Sequence, residues 1–160
     1  MVAESKPSEV RISGEEKSVQ TVKDILNTKG NDVWSVGPDT MVLDALRLMA
    51  DKDVGAVLVL DGRKLLGIFS ERDYARKVVL AGRSSKESPV RTVMTSHLIC
   101  VSPDKSVEEC MGLMTDGRLR HLPVVDHKRV VGVVSIGDLV KATLDDRELT
   151  ISQLQSYIAG

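Results

Sequence analysis

The sequence predicts an α/β fold built from two β-α-β-β-α repeats packed about a pseudo-twofold axis. Three observations carry that expectation. Residues 36–76 lie over residues 101–141 without a gap, at a constant offset of 65. Identical pairs in the overlay include Val36/Val101, Pro38/Pro103, Asp39/Asp104, Val42/Val107, Leu48/Leu113, Met49/Met114, Asp61/Asp126 and Gly67/Gly132. Both copies also close on one phrase, Gly67-Ile-Phe-Ser70-Glu-Arg-Asp73 and Gly132-Val-Val-Ser135-Ile-Gly-Asp138. Within each copy, apolar spacing alternates between the periods of strand and helix.

The elements follow in order. Residues 1–20 are polar, lack apolar periodicity and read as an N-terminal arm. Repeat 1 occupies 21–82, a linker 83–89, repeat 2 90–144, and a C-terminal helical tail 145–160. Val22-Lys-Asp-Ile-Leu26 opens the first copy as an amphipathic turn, and Val90-Arg-Thr-Val-Met94 opens the second at an offset of 68. The three-residue difference falls in the loop before Val101, where a deletion is cheap. Short β runs at 33–36 and 98–101 end in Gly37-Pro-Asp39 and Ser102-Pro-Asp104. Helical spacing then links Val42, Ala45, Leu46 and Met49, and in the second copy Val107, Met111 and Met114. Asp39-Thr40 and Asp104-Lys-Ser106 offer N-cap side chains.

A hairpin follows in each copy: Gly55–Leu60 turns at Asp61-Gly62 into Leu65–Phe69, and Leu122–Val125 turns at Asp126-His127 into Val130–Val134. The last helix of each copy starts after Ser70 or Ser135, with Asp73 or Asp138 placed to complete a capping box. In the tail, Leu149, Ile151, Leu154 and Ile158 are available for packing. A unit of roughly 55 residues buries little surface alone, so the two copies are expected to share a core.

Composition removes several functional classes. A net charge of −1 argues against a nucleic-acid polymer as partner. The aromatic residues are Trp34, Phe69, Tyr74 and Tyr157, too few for a base-stacking surface. Cys100 and Cys110 read as two reduced, buried thiols, with a disulfide as the alternative. No apolar run approaches the ~18 residues of a membrane span. The N-terminus lacks the apolar stretch of a secretory signal, so the expected location is cytoplasmic, or the mitochondrial matrix if a transit segment has been removed. His97, His121 and His127 have no metal-ligand spacing with the cysteines. Ser135, His121 and Asp138 spell the letters of a triad, but the leading glycine of a nucleophile elbow is missing. The expectation is no catalytic residue, no metal and no catalytic cofactor.

The repeated Ser-x-x-Asp phrase has a plain reading as helix capping. Its context adds a second. It occurs twice, each time after a Gly-led apolar strand and at a helix start, where N–H groups and the dipole favour an anion. An Asp one turn into the helix can accept both hydrogen bonds of a vicinal diol, as ribose presents, while the Ser hydroxyl and free N–H groups meet a phosphate. That combination suits a nucleotide.

These residues resemble a tandem pair of cystathionine-β-synthase (CBS) domains, or Bateman module, over Val22 to Leu144. The resemblance rests on Pro38-Asp39-Thr40, Val54-Gly-Ala-Val-Leu-Val-Leu-Asp61, Leu66-Gly-Ile-Phe-Ser-Glu-Arg-Asp-Tyr74, Arg118-Leu-Arg-His-Leu-Pro-Val-Val-Asp126 and Val131-Gly-Val-Val-Ser-Ile-Gly-Asp138. It is strongest to stand-alone bacterial and plant mitochondrial members. The resemblance implies adenine nucleotides bound in clefts between the repeats. Asp73 and Asp138 would hold ribose hydroxyls, Ser70 and Ser135 would lie near ribose or phosphate, and Val36, Val57, Leu58, Val101, Leu122 and Pro123 would line adenine.

The copies differ where Arg120-His121 stands against Gly55-Ala56. The resemblance assigns that basic pair to the phosphate of the site holding Ser70 and Asp73, leaving the Ser135/Asp138 site without it. Unequal sites are therefore expected, the first being the better phosphate binder. Arg72, with Arg76 and Lys77, is either a solvated face or part of a phosphate channel. Met49, Met111 and Met114 are core or dimer contacts. The implied function is a non-catalytic sensor of AMP-type ligands, forming a homodimer and signalling to an unknown regulated protein. ADP, ATP, NAD(H) and S-adenosylmethionine stay open as ligands, as does an interaction adaptor with vestigial sites.

Overall fold

The leading segment of each copy closes on the other copy rather than on its own. The computed structural model describes residues 20–159, with side chains to Ser156; most of the expected N-terminal arm and the side chain of Ile158 lie outside the described residues. Two compact units result. One comprises Asn31–Cys100 and Val125–Val133; the other comprises Val101–Val124 with the described parts of Met1–Gly30 and Val134–Gly160.

In the first of these units, β1 (Ser35–Val36) runs parallel to β2 (Ala56–Asp61), which pairs antiparallel with β3 (Lys64–Ser70). Gly62, at φ 61°, opens the two-residue turn between β2 and β3, a conformation that glycine adopts without a Cβ penalty. Helix α2 (Val42–Lys52) lays Val42, Ala45 and Met49 against Val57 and Val59 of β2 and Phe69 of β3, and Val78, Val90 and Val93 complete this core. Met49 is thus a core residue. The expected caps Asp39 and Thr40 do not cap α2. The N-cap is Met41, which makes no side-chain bond. Instead the linker does the work: the Val42 and Leu43 N–H groups donate to the carbonyls of Ser88 and Ser85, each at 2.9 Å. Asp39, left exposed, pairs with Arg91 at 3.4 Å. After β3 the chain makes one α-helical turn, α3 (Glu71–Asp73), and continues as a π-helix over Tyr74–Val79. A 3₁₀ turn at Val90–Thr92 leads into Thr95, whose main chain exchanges two hydrogen bonds with Ile68 of β3, at 2.8 and 2.9 Å.

The other unit carries α1 (Val22–Lys29), α4 (Val107–Gly117) and α5 (Ile136–Ala159). Thr21 and Asp24 form a capping box on α1, and Ser106 with Glu109 forms one on α4, so Ser106 supplies the expected cap there. The Val22 N–H donates to Lys105 O at 2.9 Å, and the Val107 N–H to Gln20 O at 2.9 Å. Val22, Ile25 and Leu26 of α1, Val107, Cys110 and Met114 of α4, and Leu139 and Ala142 of α5 are buried. Met111 is half-buried and accepts a bond from Thr143 Oγ1 at its sulfur, 3.6 Å away. Strands β4 (His121–Asp126) and β5 (Arg129–Ser135) form a hairpin, of which Val125–Val133 is counted with the first unit.

Two expectations need correction. The run 98–101 is not a strand: only Val101 pairs, in an isolated parallel bridge to Val124. Cys100 is consequently exposed rather than buried; Cys110 is buried, and both are free thiols. The tail does not form a separate helix. Neither Gly nor Pro interrupts 138–159, and α5 runs unbroken through the expected boundary at 144/145. Leu149, Ile151 and Leu154 are exposed rather than packed within the chain. Among the described residues, no helix is long and apolar enough to cross a membrane.

Candidate functional site

Each Ser-x-x-Asp phrase sits where a strand becomes a helix, and each carboxylate turns back on its serine. At the end of β3, the Ser70 N–H and hydroxyl both donate to Asp73 Oδ2 at 3.0 Å, while the Asp73 N–H donates to Ser70 Oγ at 3.2 Å. That is a complete capping box. The second carboxylate oxygen is occupied as well. Thr95 Oγ1 donates to Asp73 Oδ1 at 2.9 Å, and Lys77 Nζ lies 3.0 Å from the same atom. Asp73 is only 7% exposed. A charge that deep in a protein is tolerated when paired and hydrogen-bonded, and these donors supply both.

At the end of β5 the pattern is looser. The Ser135 N–H donates to Asp138 Oδ2 at 2.8 Å, and the Asp138 N–H to Ser135 Oγ at 3.1 Å. Lys29, the last residue of α1, brings its ammonium to 2.7 Å from the same Oδ2. The Lys29 and Asp138 side chains are 38% and 23% exposed. Burial alone would push the Asp138 carboxyl up. The Lys29 hydrogen bond, the Ser135 N–H and the lysine charge outweigh it, so the group sits below the ordinary carboxylate value. A cavity of about 310 Å³ adjoins this turn, with Thr28, Lys29, Asp138, Lys141 and Asp145 on its walls and Ile25 and Ala142 among its apolar lining.

The other expected site residues fall into two groups. Val57, Leu58, Val101, Leu122 and Pro123 are buried and Val36 is half-buried. Val57, Leu58, Val101 and Leu122 therefore present almost no surface of their own, side chain or main chain. Arg120 is exposed just before β4, His121 is half-buried at the strand's first position, and Arg72 is half-buried on α3. Lys77 and Thr95 at Asp73, and Lys29 at Asp138, were not read as partners of the acids. Lys77 was legible, because Asp and Lys four residues apart share a helix face. Thr95 and Lys29 were not, since each belongs to the leading segment of the opposite copy.

A duplicated α/β unit that twice delivers a strand into a Ser-x-x-Asp helix start defines a tandem repeat module. The chain belongs to the CBS domain family: the family's model matches residues 22–80 and again 90–145. CBS domain pairs are regulatory modules. The chain is 39% identical over 166 residues to the mitochondrial CBS domain-containing protein CBSX3 of Arabidopsis thaliana, covering 98% of this chain and 79% of that one. A solved CBS-domain protein of Burkholderia ambifaria MC40-6 is 49% identical with a TM-score of 0.77, covering 79% of this chain and 96% of that one. The CBS domain pair of protein MJ0100, solved with 5′-methylthioadenosine and S-adenosyl-L-methionine, shares the fold at 24% identity and a TM-score of 0.68, over 77% of this chain and 94% of that one.

Proposed function

We propose that this chain is a non-catalytic sensor of adenine nucleotides, taking AMP-type ligands at its Ser-x-x-Asp turns and signalling occupancy to a partner protein. The observation that carries this reading is the Ser135–Asp138 turn, where a carboxylate, an ammonium and a cavity meet at a helix N-terminus. A helix cap requires only the serine and the aspartate. A lysine at 2.7 Å and an adjoining cavity go beyond capping, and together they match a ribose diol linked to a phosphate. Arg120 and His121 are proposed as further phosphate partners.

The homodimer belongs to the same proposal. Val79 and Leu80, at the end of the π-helical segment, expose apolar surface on which a second copy or a regulated protein can pack. Signalling then requires the partner to prefer one ligation state, since a ligand shifts an equilibrium only through differential affinity. The proposed location is the cytoplasm, with the mitochondrial matrix as the alternative that the Arabidopsis relative suggests.

Calorimetric titration with AMP, ADP, ATP, NAD(H) and S-adenosylmethionine tests the reading. Asp138→Asn is expected to weaken the preferred ligand at least tenfold; wild-type affinity in that variant refutes the site. A second reading applies to the other turn. Asp73 is saturated by its internal donors and nearly buried, which favours a structural role. On that reading Asp73→Asn lowers stability and leaves ligand affinity unchanged.

A further inference from the structure

Resting on the homodimer proposed above, we infer that α5 carries its seam: the α5 helices of two copies pair antiparallel along the exposed stripe of Val140, Leu144, Ile151 and Leu154. The first turns of α5 have their partners within the chain. Leu139 and Ala142 are buried there, and Thr143 Oγ1 bonds the sulfur of Met111. From Arg147 to Ser156 that burial is gone, and every residue is exposed. This stretch lies past residue 145, where the match to the family's model ends. Helices in proteins owe most of their stability to a packed face, and exposed apolar side chains in a row mark where that face meets a partner.

The spacing of the stripe fits one kind of partner. Positions 140, 144, 147, 151 and 154 follow in steps of four, three, four and three, the a/d pattern of a helix that pairs with another helix. Val140, Leu144, Ile151 and Leu154 fill four of the five and are exposed to 41%, 54%, 54% and 57%. At about 100° per residue they share one face, roughly a third of a turn from Leu139 and Ala142, so covering them does not disturb the packed face. Leu149 falls on the opposite side and stays outside the seam. The fifth position, Arg147, selects the direction and the occupant. A parallel pair would set Arg147 against its own copy, two like charges across the seam. In an antiparallel pair centred near Leu149, Leu144 meets the partner's Leu154, and Arg147 meets the partner's Ile151 with the partner's Glu148 alongside. Twofold symmetry makes the Arg–Glu pair twice, so the surface is complementary to itself and its occupant is a second copy of this chain.

Sedimentation equilibrium of the full chain over a wide concentration range tests the seam, after melting curves confirm that each variant folds. Wild type is expected to be a dimer. Ile151→Lys and Leu154→Lys should each weaken association about tenfold or more, whereas Leu149→Lys should leave it unchanged. Arg147→Glu and Glu148→Arg should each weaken it, and the two combined should restore it. Cross-linking under a mild oxidant, in a Cys100→Ser background, reads the direction. Leu144→Cys/Leu154→Cys should join two copies and Leu154→Cys alone should not; self-linking of Leu154→Cys means a parallel pair and overturns the arrangement. A wild-type dimer indifferent to Ile151→Lys and Leu154→Lys overturns the α5 seam alone and assigns the homodimer to another surface, such as Val79 and Leu80. A wild type that stays monomeric at every concentration overturns the homodimer and the seam together.

Discussion

Replacing Gly67 by alanine is expected to destabilise the chain by about 1–3 kcal/mol, the usual range for overpacking a site whose neighbours cannot retreat. A Cβ on Gly67 would stand 2.7 Å from the Thr95 carbonyl oxygen, 2.8 Å from Met94 Sδ and 3.0 Å from Met94 Cγ. The methionine can rotate away. The carbonyl cannot, because it accepts from the Ile68 N–H at 2.9 Å while the Thr95 N–H donates to Ile68 O at 2.8 Å. Relief therefore means prising the 94–95 segment off β3. That movement also carries Thr95 Oγ1 away from Asp73, so the acid loses a donor in the same step.

At about 2–4 °C per kcal/mol for a chain of this size, Tm should fall by about 2–12 °C. Thermal and urea denaturation measure the change. Combining the substitution with Thr95→Val, which already lacks the hydroxyl, should give less than the sum of the two single effects. Gly112→Ala is the control of opposite sign. Gly112 lies on the exposed face of α4 with nothing within 4 Å of an added Cβ, so alanine should stabilise by about 0.5–1 kcal/mol. If Gly67→Ala lay within about 0.5 kcal/mol of wild type, the tight seam between β3 and residue 95 would be refuted.

Asp138 sets a pH dependence. Its folded carboxyl lies below its ordinary value, so its contribution is present above the unfolded pKa and lost as pH falls through the folded one. Below about pH 4, wild type should therefore lose stability more steeply than Asp138→Asn, and parallel denaturation curves would exclude the Lys29 pairing. In the β4–β5 turn, His127 and Lys128 sit at φ 51° and 66°, where side chains are strained. Lys128→Gly should gain up to about 1 kcal/mol in urea denaturation, and a loss would show that the lysine side chain contributes more than its strain costs. A thiol reagent should label Cys100 in the native chain and Cys110 only after unfolding, since the first is exposed and the second buried. Partial desolvation of the Cys100 sulfur and burial of Cys110 hold both thiols above their ordinary value, so native labelling should accelerate toward alkaline pH. Two fast thiols at the outset would contradict the buried position of Cys110.

What could be read in advance was local. The hairpins announced themselves through apolar runs around Asp61-Gly62 and Asp126-His127, and both Ser-x-x-Asp caps through a spacing of three. What could not be read was long-range. The first N–H groups of α2 find acceptors at Ser85 and Ser88, more than forty residues later, so the nearby Asp39 and Thr40 looked like caps without being needed. Leu98–Cys100 has the composition of a strand but no ladder to join, and Cys100 is exposed as a result. The last helix of the second repeat runs on into the tail, since neither Gly nor Pro stands between 145 and 159. At the candidate site the acids and serines were legible, whereas Lys29 and Thr95 reach them only through folding.

The exchange of leading segments also imposes an order of events on synthesis. Helix α1 is made early, but the acceptors for the Val22 and Lys23 N–H groups are the carbonyls of Lys105 and Pro103, some eighty residues further along. Lys29 waits longer still for Asp138. The unit of Asn31–Cys100 contains its own leading segment at 90–95 and can close most of its core while the remainder is being translated. The unit containing the Lys29–Asp138 pair must bridge those long separations, which slows closure and makes it the later of the two to form. An early stop in translation would thus spare the Asp73 turn and abolish the Asp138 turn altogether.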